Sequence, residues 1–149
     1  MKFDDASWHY GGDFPEDLDP SAGATHIAMF LAWAAFRDLL GRIHTDLSSG
    51  ELERLRSRSI TPTQWFMHNC DGKFLDEDLN EEGNFFAKSY YDASEAEESA
   101  SPYLRDYEQT LPNTASLYEV PDNWETFDKL TPIIDQRFVQ WRAEVTSSR

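Results

Sequence analysis

The chain has 149 residues, 28 of them acidic against 13 basic, for a net charge of −15. Apolar residues make up 40% and aromatics 14%, enough material for a core, so a chain disordered throughout is excluded. The surplus of carboxylates argues against direct binding of nucleic acid or anionic membranes, since both are gripped through Lys and Arg.

The length fits one domain, residues 1–149. Cys70 is the single cysteine, so no internal disulfide can form and a reducing compartment is expected. The start, Met1 to Tyr10, lacks an apolar stretch after a basic region, so a cytoplasmic location is expected. The longest apolar run, Ile27 to Phe36, falls well short of the ~20 residues that cross a bilayer.

In chain order, residues 1–20 hold Asp4, Asp5, Asp13, Glu16, Asp17 and Asp19 against Lys2, with Gly11, Gly12, Pro15 and Pro20 as breakers. They read as an ordered acidic arm, pinned by Trp8, Tyr10 and Phe14, with a short strand at Ser7 to Tyr10. A first helix is expected over 22–40, with Ser21 as N-cap and Gly41 at the left-handed stop. Its apolar residues surround the axis, so it should be covered on most sides and form the centre of the fold.

A second helix is expected over 50–59, with Leu52 and Leu55 inward and Arg54, Arg56 and Arg58 mostly outward. Thr61-Pro62 opens a third, which runs to about Asn69 and is stopped by Asp71-Gly72. A fourth should span 76–91, with Gly83 as a weak point. Residues 92–101 read as an exposed acidic linker, and Pro102 opens a short helix through Leu111. Leu117 to Val120 is the best strand candidate, and the pairing it suggests is with Ser7 to Tyr10. Asp122 can cap a helix that Thr131-Pro132 restarts, with Ile134, Phe138 and Trp141 on one face. The fold class is mainly α: a helical bundle around a buried first helix, with an ordered arm and at most one short two-stranded pairing.

No nucleophile elbow, phosphate loop, dinucleotide fingerprint or zinc-protease helix occurs, so no catalytic residues are assigned. No cofactor is implied either. A metal centre needs three or four convergent ligands. His68 and Cys70, the closest pair, diverge by about 200° on a helix, so no metal ligands are assigned.

Two segments hold most of the surplus charge. One is the arm; the other is residues 71–98, with Asp71, Asp76, Glu77, Asp78, Glu81, Glu82, Asp92, Glu95, Glu97 and Glu98 against Lys73 and Lys88. Such density either keeps a solvated face soluble or steers a basic protein partner onto it. The expected docking residues are Asp76, Glu77, Asp78, Glu81 and Glu82, joined by Asp13, Glu16 and Asp17 of the arm. The alternative is an enzyme or small-molecule pocket under the arm, where Trp8, His9, Asp13 and His26 could meet. The sequence leaves the oligomeric state open.

The segments Asp4 to Pro15, Ala22 to Trp33 (with Thr25-His26-Ile27-Ala28-Met29-Phe30-Leu31-Ala32-Trp33), Phe74 to Asn84 and Trp124 to Leu130 resemble an uncharacterised family of small acidic bacterial proteins, a domain of unknown function. The resemblance covers almost the whole chain. It implies no catalytic residues, and proteins of this character are similar to the immunity proteins of bacterial toxin systems, which implies a non-enzymatic, toxin-neutralising role.

Overall fold

In the computed structural model the described residues are 2–9, 20–92, 101–111 and 119–147. They form a mainly helical domain with one two-stranded sheet, in the order β1 (Lys2–Asp5), α1 (Thr25–Phe36), α2 (Arg42–Thr45), α3 (Ser49–Arg56), α4 (Pro62–Cys70), β2 (Lys73–Leu75), α5 (Glu81–Tyr90), α6 (Pro102–Thr110) and α7 (Trp124–Ser147). No helix among these residues is long and apolar enough to cross a membrane.

Helix α1 is the centre. Every residue from Thr25 to Ala35 is buried, because an apolar circumference can be satisfied only by cover on all sides. Phe30 is the hub: its ring centroid stands 5.0 Å from Tyr91, 5.4 Å from Tyr103, 5.7 Å from Trp33 and 5.8 Å from Phe74. These tilted and edge-on contacts each add roughly 0.5–1.5 kcal/mol beyond the area they bury. Trp33 also donates its indole N–H to Asp135 of α7 at 2.8 Å.

The helix stops earlier than the 22–40 span expected. A 3₁₀ turn over Pro20–Gly23 precedes it, and the left-handed position after it falls on Asp38 (φ 59°), not Gly41. Gly41 has a different task. A Cβ there would stand 2.3 Å from the Glu77 carbonyl oxygen, a separation no side chain tolerates. Its N–H donates to the Asp78 carbonyl at 2.9 Å, and Asn80 N–H donates to Leu39 O at 2.8 Å. Residues 39–41 are thereby laced to 78–80. Gly83 seals the same seam, since a Cβ there would lie 2.8 Å from Leu39 O.

The single helix expected over 76–91 is two elements, and the residues just before it form a strand. Lys73–Leu75 pairs antiparallel with Lys2–Asp5, Asp76–Asp78 forms a 3₁₀ turn, and α5 starts only after Asn80, whose side chain accepts from Gly83 N–H at 2.9 Å. The break is at this cap, not at Gly83, which lies inside the first turn. The strand expected at Ser7 to Tyr10 is a 3₁₀ turn over Ala6–His9. Leu117 and Tyr118 of its expected partner strand lie outside the described residues.

Other boundaries follow local chemistry. Thr61 and Gln64 form a reciprocal cap on α4, and Asp71 (φ 52°) with Gly72 (φ 75°) stops it. Asn123, not Asp122, caps α7, accepting from Thr126 N–H at 2.8 Å. Asp122 instead accepts from the Thr61 hydroxyl and from Thr63 N–H. Helix α7 continues through Pro132 instead of restarting there. The Thr131 hydroxyl donates to Phe127 O at 3.0 Å, and Leu130 and Ile134 are buried on either side, so packing outweighs the one backbone bond a proline removes.

Candidate functional site

The run Asp76–Glu82 does not present its acids alike. Asp76, Glu77 and Glu81 are exposed. Asp78 is buried: its Oδ2 accepts from Leu75 N–H at 2.7 Å and its Oδ1 lies 2.8 Å from His44 Nε2. It cannot face a partner, which corrects its place among the docking residues. Glu82 is held bidentately by Arg142 at 3.0 and 2.8 Å. Asp13, Glu16 and Asp17 lie outside the described residues. The root of the arm does adjoin the second acidic segment, since β1 and β2 are paired.

Four arginines are paired with carboxylates outside this run. Arg37 grips Asp135, Arg58 grips Asp128, Arg137 grips Asp106 and Arg56 reaches Asp38. Burial opposes ionisation of Asp135, yet the Arg37 and Trp33 hydrogen bonds outweigh it and hold that carboxyl below its ordinary range. Arg58 also lies 4.7 Å over the Trp124 ring. Of Arg54, Arg56 and Arg58, read from the sequence as mostly outward, Arg54 pairs with Glu51 on its own helix, whereas Arg56 and Arg58 tie α3 and its following loop to the rest of the fold.

Beside the exposed acids runs an open groove of about 830 Å³ between α5 and the end of α7, lined by Asn80, Glu81, Glu82, Phe85, Trp141, Arg142, Val145 and Thr146. Phe85 is 56% exposed and Val145 38%. Adjacent helical residues point about 100° apart, so on a helix covered on one side only one of Phe85 and Phe86 enters the core, and Phe86 is the buried one.

A second cluster escaped the sequence reading. His44 of α2, Cys70 at the end of α4 and Asp78 of the 3₁₀ turn bring Nε2, Sγ and an Oδ within 4.8 Å of one another. Cys70 Sγ lies 3.9 Å from His44 Nε2 and 3.7 Å from Asp78 Oδ1. The His44 ring packs 4.9 Å from the Trp65 ring, and its Nδ1 is buried with no partner among the described residues. His68, the neighbour weighed in the sequence, lines a separate shallow groove with Met67 and Gln64. No local spacing could reveal the true set, because the Gly41 seam is what lays α2 over Asp78.

This cluster is not built as a nucleophile. Burial, with the Asp78 carboxylate beside it, pushes the Cys70 thiol far up, so the reactive thiolate is scarce. Thiol and carboxylate also meet the same imidazole nitrogen, whereas a base relay needs them on opposite ones.

Of the alternative pocket under the arm, the Trp8 and His9 side chains and Asp13 lie outside the described residues. His26 is wholly buried in α1, its Nε2 3.4 Å from Asp4 Oδ2 and its ring edge-on to Tyr107. Asp4 in turn accepts from the Tyr91 hydroxyl at 2.6 Å, and Tyr103 donates to the His26 carbonyl at 2.6 Å. The residues around His26 are core, joining β1, α1 and α6.

A family model described as Domain of unknown function (DUF7832) matches residues 2–120. No curated protein and no solved structure matches the chain.

Proposed function

From the premise that the chain belongs to the DUF7832 family, we propose that it is a non-enzymatic docking protein whose α5–α7 groove receives a basic segment of another protein. The observation that carries this reading is the exposed Phe85, one turn after Glu81 on a groove wall with Val145 opposite. Charge by itself gives on-rate and register but modest affinity. A large exposed apolar side chain beside exposed carboxylates supplies what charge lacks, because interface energy concentrates in a few aromatic anchors ringed by polar residues.

Glu81 lines the groove, Asp76 and Glu77 add exposed carboxylates from the same run, and Arg142 pairs with Glu82. A partner segment whose basic side chains evolved to grip phosphates suits the surface, since carboxylates can occupy phosphate positions. Neutralisation of such a partner, as by an immunity protein, is the specific form of the role.

The test is capture from a lysate of the source cells by the wild-type chain, by an Asp76→Lys, Glu77→Lys, Glu81→Lys triple variant and by Phe85→Ser, at low and high salt. The expected result is one basic protein retained by the wild type, weakened by salt, and lost by both variants. An identical set of proteins on all three baits, or none on the wild type at either salt, ends this reading.

A further inference from the structure

We propose that His44, Cys70 and Asp78 form a three-ligand site for a borderline-soft divalent cation of the zinc type, independent of the docking groove. Imidazole nitrogen, thiolate sulfur and carboxylate oxygen together suit zinc and cobalt, and a site of this mixture disfavours magnesium and calcium. An ion that binds here displaces the Cys70 proton to solvent, and its two positive charges then balance the thiolate and the carboxylate.

The separations fit. With bonds of about 2.0–2.3 Å, ligand atoms around a tetrahedral ion stand roughly 3.3–3.7 Å apart. The sulfur is already 3.9 Å from the ring nitrogen and 3.7 Å from the oxygen. Only the His44–Asp78 contact, at 2.8 Å, is a direct hydrogen bond that must open, by about 0.5 Å, to admit an ion.

The outer contacts are partly in place. Leu75 N–H fixes the far oxygen of Asp78 at 2.7 Å, as the outer shell of a ligating carboxylate requires. The His44 ring is held by the Trp65 face and not by a hydrogen bond at Nδ1. Since such braces are worth roughly 10–100-fold in affinity, binding should be weaker than at a fully braced site. Three protein ligands leave the fourth tetrahedral position for a water.

The experiment titrates the reduced full chain with Co²⁺, and then displaces it with Zn²⁺, in excess Mg²⁺ to occupy the surface carboxylates. One Co²⁺ per chain, with a thiolate-to-cobalt charge-transfer band in the near ultraviolet that zinc abolishes, is the expected result. Cys70→Ser should lose the band entirely, and Asp78→Asn should weaken binding by tenfold or more. Zinc should raise the Tm of the wild type and leave that of Cys70→Ser unmoved. Absence of the band in the wild type, or its persistence in Cys70→Ser, overturns the proposal. The wild-type titration decides the matter even if a ligand variant fails to fold, and neither outcome depends on the docking groove.

Discussion

Helix α7 is one continuous element, yet its two halves meet different surroundings. From Trp124 to Phe138 it buries Phe127, Leu130, Ile134 and Phe138 against the core. Along this half three charged residues are tied to other elements too: Asp128 to Arg58, Asp135 to Arg37 and Trp33, and Arg137 to Asp106. From Val139 onward Trp141 still packs on Phe86 and Phe138, but Val139 is 65% exposed and Val145 38%, and Val145 lines the groove with the exposed Phe85 of α5. The first half is scaffold. The second, Trp141 apart, is surface with apolar side chains that folding leaves uncovered, and that contrast makes the groove a docking candidate.

Truncations should divide the two halves most sharply. Phe127→Ala and Ile134→Ala should each cost about 2–5 kcal/mol, the usual range for large-to-small core changes, measured by urea unfolding. If either cost under about 1 kcal/mol, the first half would not be the packed scaffold described.

Next comes the buried carboxylate Asp106, which accepts from the Tyr90 hydroxyl at 2.7 Å and from Arg137 at 2.9 and 3.0 Å. Asp106→Ala should lose about 1–3 kcal/mol, because it strands a buried hydroxyl. It should also lower the Tyr90 phenol, whose ionisation burial, reinforced by Asp106, pushes far up. Ultraviolet titration of the tyrosines measures that second effect.

Smaller still is the pH dependence at Asp135. Its folded carboxyl titrates below the unfolded one, so the stability it adds is complete above an unfolded value of about 4 and is lost as pH falls through the lower folded value. Both partners of the Arg37–Asp135 pair are about a third exposed, so solvent screening limits the effect to about 1 kcal/mol or less. Asp135→Asn should flatten the acid limb of the stability profile by that amount, as read from unfolding midpoints between pH 2 and 6.

Least affected should be Phe85→Ser and Val145→Ser, within about 0.5 kcal/mol of wild type, as surface changes are. A loss of several kcal/mol at either would mean that the groove is part of the core and that the two halves of α7 do not differ.

Much of the architecture was legible from composition and periodicity. The all-round apolar character of Ile27 to Phe36 required a central covered helix, and Thr61-Pro62 with Asp71-Gly72 marked both ends of α4, since caps and left-handed stops are local chemistry. Less legible was the stretch from Lys73 to Asn80. Its acids resemble a helix start, but β1 captures Lys73–Leu75 as a strand, and a partner from the far end of the chain leaves no local pattern.

The sequence by itself determined a mainly helical domain, an aromatic core and a negative surplus, because burial of apolar area and net charge are sums over residues. Only the tertiary structure decided which carboxylates face water and which meet His44 and Cys70. That sorting depends on where Gly41 lets two backbones touch, and contact between distant segments is not a property of either segment alone.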